Sequence, residues 1–270
     1  MSTERKLSEL RRLLGDMKRV LVCFSGGVDS SLMTRVAHDV LGDDAVALTT
    51  VSPTNPDEDT EQAVALASQL GIEHLIVDVN ELDIPNYRAN PIDRCYFCKS
   101  NLYEIATAQA AGREIPWIVD GVNADDLGDY RPGLRAATER TIRHPLAEAS
   151  LSKQEIRELS RDLGLRTFDR PASPCLSSRF PYGTAITLEG LAKVSRGEKW
   201  LRAHGFRECR VRYYGNRARV EVPRDEIARL TASPLRDELE AQLRSVGFTE
   251  VEIDPRGFRS GSLNDALRTI

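Results

Sequence analysis

Between Arg19 and Phe168 short apolar runs alternate with longer amphipathic stretches, and that alternation constrains the chain more than any other feature. Residues 19–24 (RVLVCF), 45–51 (AVALTTV), 73–79 (EHLIVDV) and 116–123 (PWIVDGVN) read as strands. Residues 29–42 (DSSLMTRVAHDVLG) and 57–71 (DEDTEQAVALASQLG) read as helices that close on glycine. Residues 94–112 turn helical in their second half, and 152–165 (SKQEIRELSRDLGL) form a further helix. Strands separated by helices imply a parallel sheet covered on both faces.

The rhythm changes after residues 170–183 (RPASPCLSSRFPYG). A helix at 188–204, the strand ECRVRYY, a Gly215-Asn216 turn, the strand RARVEVP, another helix and a last strand in GFTEVEID make a small α+β module. The fold class expected is therefore α/β, a parallel-sheet domain at 1–182 followed by a smaller α+β domain at 183–270, with the boundary near Tyr182.

A net charge of -4 speaks against a polybasic nucleic-acid binder. No apolar run reaches membrane-spanning length, and the N-terminal MSTERKLSELRRLL is a charged amphipathic helix. The expectation is a cytoplasmic protein with neither nucleic acid nor membrane as partner. Five cysteines, two of them spaced C-x-x-C, point in a reducing compartment to metal or sulfur chemistry before disulfides.

The segment Ser25-Gly26-Gly27-Val28-Asp29-Ser30 joins the first strand to its helix, the usual place for a ligand in an open α/β sheet. Gly26 and Gly27 let the backbone approach an anion, and the helix N-terminus offers N–H groups and a positive dipole end to phosphate. Ser25 and Ser30 add hydroxyls, and Asp29 can hold Mg²⁺ against the phosphates. The plainer reading is a strand–turn–helix corner with Asp29 or Ser30 as N-cap. Thr49 ends the second strand, and Asn123, Asp125, Asp126 and Asp129 cluster after the fourth, either as ligands or as a turn of Asx type. Lys99 and Lys153 are candidates for reaching the phosphates.

Cys95 and Cys98 lie in RCYFCK, and Cys175 lies among prolines and small residues in RPASPCLSSRF. A zinc site wants four ligands and no second C-x-x-C exists; a redox dithiol lacks a thioredoxin-like setting. Three thiolates brought together could hold an iron–sulfur cluster with one iron left open. Cys23 and Cys209 read as core. In the last module strand alternation puts Arg210 and Arg212 on one face, and Arg217, Arg219 and Glu221 on one face of the partner strand. If the two faces coincide, four guanidiniums form a receiver for phosphate beside a solvated, salt-bridged alternative.

SGGVDSS resembles the PP-loop of the adenine-nucleotide alpha-hydrolase-like ATP-pyrophosphatases, which bind ATP and release pyrophosphate. A backbone nest without a Walker lysine suits a departing pyrophosphate. Over nearly the whole chain FSGGVDSS, RCYFCK, DGVNADDLGDYRPG, RPASPCLSSRFPYG and CRVRYYG resemble the LarE family, the ATP-dependent sulfur transferases of nickel-pincer nucleotide biosynthesis. The resemblance implies ATP and Mg²⁺ on Ser25, Gly26, Gly27, Asp29 and Ser30, with Thr49, Lys99, Asn123, Asp126 and Lys153 around the nucleotide. It implies Ser178, Arg179, Arg210 and Arg212 on the phosphate of pyridinium-3,5-biscarboxylic acid mononucleotide, the small-molecule nucleotide substrate. It implies Cys95, Cys98 and Cys175 as catalytic residues, holding a [4Fe-4S] cluster in members with all three, whereas members with one cysteine sacrifice its sulfur. A homo-oligomer, a hexamer, follows from the same resemblance. The rival readings are another PP-loop enzyme, a tRNA thiolase or a synthetase-like ligase, and a non-catalytic adenine-nucleotide binder with structural zinc.

Overall fold

The computed structural model describes residues 1–128 and 132–259. Asp129, grouped above with the polar cluster, lies outside the described residues. In chain order the helices are α1 Thr3–Met17, α2 Val28–Leu41, α3 Asp57–Leu70, α4 Pro85–Arg88, α5 Arg94–Ala111, α6 Pro132–Glu139, α7 Pro145–Glu148, α8 Lys153–Asp162, α9 Leu188–Ala203, α10 Ile227–Thr231 and α11 Leu235–Ser245. The strands are β1 Val20–Cys23, β2 Ala45–Val51, β3 Glu73–Asp78, β4 Trp117–Val119, β5 Arg210–Tyr214, β6 Arg217–Glu221 and β7 Glu250–Ile253. They divide between two compact units, one made of 1–81 and 93–173, the other of 82–92 and 174–270.

In the first unit β1 to β4 are parallel in the order β3-β2-β1-β4. All four residues of β1 are buried, and successive side chains feed opposite faces. Val20, Val22 and Phe24 join the core under α1, α2, α3 and α8, while Leu21 and Cys23 join the core under α5 and α6. Both faces are covered, as the helix–strand alternation requires. The order also fixes where a ligand goes. The chain leaves β1 toward β2 on one side and returns to β4 on the other, so the crevice at the carboxyl ends of β1 and β4 is the topological switch point.

In the second unit β5 and β6 pair antiparallel and β6 and β7 parallel, with Val211, Ala218, Val220, Leu239, Leu243 and Phe248 in one core. The division falls at Ser173/Pro174 rather than near Tyr182, and residues 82–92 join the second unit. Backbone bonds from Gly183 to Asn90 and from Ile186 to Arg88 explain this, reinforced by the Asn90 amide on the carbonyls of Pro181 and Thr184 and by Tyr87 on Ser177 at 2.6 Å. Among the described residues no helix is long and apolar enough to cross a membrane.

Candidate functional site

In the first unit the glycine loop caps α2 at the switch point. Gly26 has φ +74°, and a Cβ there would lie 2.6 Å from the Asp59 carbonyl oxygen, so neither its backbone nor its space admits a side chain readily. Gly27 is the N-cap of α2 and supplies no capping side chain, which keeps the first-turn N–H groups for an anion. Ser30 is buried and ties the loop: it accepts from the Ser25 N–H at 3.3 Å, meets the Ser25 hydroxyl at 3.1 Å and donates to the Gly27 carbonyl at 3.2 Å. From the β4 side Gly121 closes on the same helix end, where a Cβ would lie 2.9 Å from the Ser30 nitrogen.

Asp29 stands in the first turn of α2, with the Asn123 amide donating to one oxygen at 3.2 Å and the Lys153 ammonium paired with the other. Asp126 accepts from the Asn123 N–H at 3.1 Å, the Asn123 side chain accepts from the Asp125 N–H, and Asp125 accepts from the Lys153 N–H at 2.8 Å. The polar cluster is thus an Asx-type turn and also the scaffold that aims Asn123 and Lys153 at Asp29. The Asp29 carboxylate is a hard oxygen donor at a helix mouth, which fits Mg²⁺. Thr49 is buried, donates to the Phe24 carbonyl at 2.6 Å and meets His74 Nε2 at 2.7 Å, so its hydroxyl serves the sheet end. Lys99 lies over the Tyr103 ring at 5.5 Å.

Beneath the switch point sits a buried network with no local sequence signal. Asp120, the residue after β4, accepts from the Tyr103 hydroxyl at 2.7 Å and meets His144 Nδ1 at 2.7 Å. Burial pushes its carboxyl up, but hydrogen bonding to His144 and the charge of Lys99 outweigh burial and hold it below its ordinary value.

Cys95 and Cys98 occupy the start of α5, which begins at Arg94, earlier than the sequence suggests. At i and i+3 on a helix they share a face, Cys95 exposed and Cys98 half-buried with its sulfur 4.0 Å from the buried Glu81 carboxylate. Among the described residues no three potential metal ligands come together. The pair fits two ligands of a cluster; Cys175, half-buried, belongs to the second unit. Burial pushes the thiols of Cys23 and Cys209 up to about 12, which leaves both inert. Alkylation of the native chain at neutral pH is therefore expected to modify Cys95 first and to spare Cys23 and Cys209 until denaturant is added. Peptide mass mapping reads this out, and early labelling of Cys23 or Cys209 would contradict the packing.

In the second unit Cys175 precedes a short 3₁₀ turn, Leu176–Arg179, that binds three of the four expected phosphate contacts together. Arg179, 1% exposed, donates to the Pro174 and Cys175 carbonyls and to the Ser178 hydroxyl, and pairs at two points with Glu198 at 2.7 Å. Its guanidinium thereby shapes the turn that carries Cys175. Arg212 donates to the Ser178 carbonyl at 2.9 Å and pairs with Glu221 at 2.8 Å. The register aligns Arg210 with Glu221 and Arg212 with Arg219, so the two hairpin faces do coincide, but Glu221 and Glu198 lie among the arginines. Burial and the charge of Arg179 pull the Arg210 guanidinium down to about 10, against the opposing charge of Glu198. Sequence periodicity revealed the arginines but not Glu198, which sits on α9 and reads as an ordinary helix surface residue.

Removing one partner of such a pair exposes its size. Burial pushes the Glu198 carboxyl up, yet the charge and hydrogen bonds of Arg179 hold it below its ordinary 4.5. The pair's contribution is complete above about pH 4.5 and is lost as pH falls through the lowered value. Glu198→Gln leaves a buried guanidinium short of charge and is expected to cost about 3–5 kcal/mol in urea unfolding. A change below about 1 kcal/mol, the scale of an exposed pair, would contradict the burial of this contact.

The family described as NAD synthase matches residues 10–94, which hold the glycine loop. An uncharacterized protein of Synechocystis sp. is 48% identical over 98% of both chains. The pyridinium-3,5-bisthiocarboxylic acid mononucleotide synthase of Lactiplantibacillus plantarum is 38% identical over 97% of this chain and 95% of its own. A glutamine-hydrolysing GMP synthase of Chlamydia muridarum is 23% identical over 69% of this chain and 38% of its own.

Proposed function

Given that the chain belongs to the LarE family of PP-loop ATP-dependent sulfurtransferases, we propose that it adenylylates a carboxylate of pyridinium-3,5-biscarboxylic acid mononucleotide and replaces one oxygen by sulfur. The observation that carries this reading is the lysine-free glycine nest at the switch point, with Asp29 at the mouth of α2. The nest would grip the β- and γ-phosphates through backbone N–H groups, and Asp29 would hold Mg²⁺, which supplies positive charge to the phosphates. Lys153, paired with Asp29 here, would be free to turn to the phosphates were a metal bound to the carboxylate. Thr49 keeps the end of β2 in place for the adenosine, and Asn123, fixed by Asp126, steadies Asp29.

In the second unit Ser178, Arg210 and Arg212 receive the substrate phosphate, and Arg179 holds the turn that carries Ser178. The substrate carboxylate attacks the α-phosphorus and pyrophosphate leaves, giving an acyl adenylate. A sulfide then adds to the acyl carbon and expels AMP, leaving a thiocarboxylate. For the sulfur supply we propose Cys95, Cys98 and Cys175 as ligands of a [4Fe-4S] cluster; bound, such a cluster offers one open iron able to carry an extra sulfide. The family resemblance and the shared face of the C-x-x-C pair support this form. The enzyme acts in the cytoplasm as a homo-oligomer. The full-length identity to a thiocarboxylate synthase, against a partial and weaker match to GMP synthase, favours sulfur transfer over amidation.

The test supplies the whole protein with the biscarboxylate mononucleotide, MgATP and sulfide. Mass spectrometry is expected to find the thiocarboxylate together with AMP and pyrophosphate in equal amounts. ATP cleavage to ADP and phosphate, or no ATP-dependent product, would overturn the assignment.

A further inference from the structure

Arg170 opens the RPASPCLSSRFPYG stretch and lies far in sequence from the glycine loop, and nothing in that stretch assigns it a partner there. One terminal nitrogen donates to the Gly26 carbonyl at 3.0 Å, and the other pairs with Asp59 in the first turn of α3 at 2.5 Å. Asp59 in turn accepts from the Ser173 hydroxyl at 2.9 Å. From behind, Arg157 donates to the carbonyls of Phe168 at 2.6 Å and of Arg170 itself at 2.8 Å. The Arg170 side chain is therefore fixed from both ends, and the segment that leads toward Cys175 is fastened with it.

The contact with Gly26 has a stereochemical consequence. In a trans peptide the carbonyl of one residue and the N–H of the next point in opposite directions. Turning the Gly26 oxygen toward Arg170 therefore turns the Gly27 N–H away from it, at the N-cap of α2 where an anion would be received. With φ +74° and no Cβ, Gly26 is a residue whose peptide plane would otherwise rotate easily. On its other side the α3 backbone lies 2.6 Å from a would-be Cβ.

We infer that Arg170 is a positioning residue for pyrophosphate: it locks the Gly26–Gly27 peptide with the Gly27 N–H presented to the β- and γ-phosphates, and Asp59 with Ser173 locks Arg170. The inference rests on the nucleotide reading above and adds a residue to it. It makes a specific demand: Arg170 matters to the phosphates and not to the adenosine. The Arg170 and Asp59 side chains are only 19% and 17% exposed, so the pair is largely enclosed.

Calorimetric titration of the full chain with magnesium pyrophosphate, AMP and MgATP tests the demand. Arg170→Ala is expected to weaken magnesium pyrophosphate and MgATP roughly ten- to a hundred-fold, the loss of one charge-assisted orienting contact. AMP affinity is expected to stay within about twofold, as for a site not sharing the contact. Arg170→Lys, which reaches either Asp59 or the Gly26 oxygen but not both, is expected to fall between. Pyrophosphate affinity equal to wild type in both variants would overturn the inference. So would an equal loss of AMP and pyrophosphate with a lowered melting temperature, which marks a merely structural residue. Should Arg170→Ala not fold, the same pyrophosphate-to-AMP comparison in Arg170→Lys decides. A wild-type chain that binds neither ATP nor pyrophosphate would instead overturn the nucleotide reading itself.

Discussion

Replacing Asp29 with alanine is expected to abolish ATP-dependent pyrophosphate release while leaving the fold intact. Asp29 sits at the positive end of α2, where among the described residues its carboxylate meets the Asn123 amide and the Lys153 ammonium. The Lys153 pair is part-exposed at 37% and 23%, so breaking it costs little stability, about 0–1 kcal/mol. The catalytic loss is of another order. Without the carboxylate a bound Mg²⁺ would lose this protein ligand, and Lys153 loses the partner that aims it. Removing a charge stabiliser of this kind slows the chemical step by about 10²–10³-fold. Asp29→Asn keeps a hydrogen-bond acceptor for Asn123 and lacks the charge, so it separates metal binding from loop geometry: it should be as inactive as the alanine variant. Undiminished pyrophosphate release by a folded Asp29→Ala chain would sink the assignment of the loop.

The second large effect concerns sulfur. Alanine at Cys95, Cys98 or Cys175 is expected to abolish thiocarboxylate formation in each case, with AMP and pyrophosphate still formed because the glycine loop is untouched. If Cys175 alone gave up its sulfur, the other two thiols would have no part in the reaction, yet they share one accessible face of α5. Cys23 and Cys209 cannot substitute, since burial holds both thiols near 12. Anaerobically reconstituted chain is expected to contain iron and acid-labile sulfide, and each single variant to lose them. Its intact mass should be unchanged by turnover. Dehydroalanine at 175, with full activity in Cys95→Ala, would overturn the three-cysteine mechanism and keep the enzyme class.

The features legible in the sequence were those with a local period or a local stereochemical demand. The apolar run of β1, the helix closures at Gly42 and Gly71 and the glycine loop are all of this kind, and all occur where expected. The alternation that puts Arg210 and Arg212 on one hairpin face is equally local. What escaped depends on partners distant in the chain. Residues 82–92 join the second unit through bonds to 177–186, and nothing in 82–92 itself announces it. Glu198, which shares the region with the arginines, lies on a helix whose own periodicity suggests an ordinary surface. Asp120 gathers Tyr103 and His144 from two other segments, and Arg170 reaches Gly26 across most of the first unit. Charge satisfaction in a core is a property of the folded arrangement, and a one-dimensional pattern carries no record of it.

Oxygen tracing tests the central claim, that a carboxylate is activated as its adenylate before sulfur enters. The substrate is labelled with ¹⁸O in its carboxylates and turned over with MgATP and sulfide, and the AMP is weighed. Attack of the carboxylate on the α-phosphorus followed by displacement at carbon leaves one carboxylate oxygen on the phosphorus. The account predicts one ¹⁸O in AMP for every thiocarboxylate formed and none in pyrophosphate. Thiocarboxylate formed alongside unlabelled AMP, or label carried into inorganic phosphate with ADP as coproduct, would contradict it.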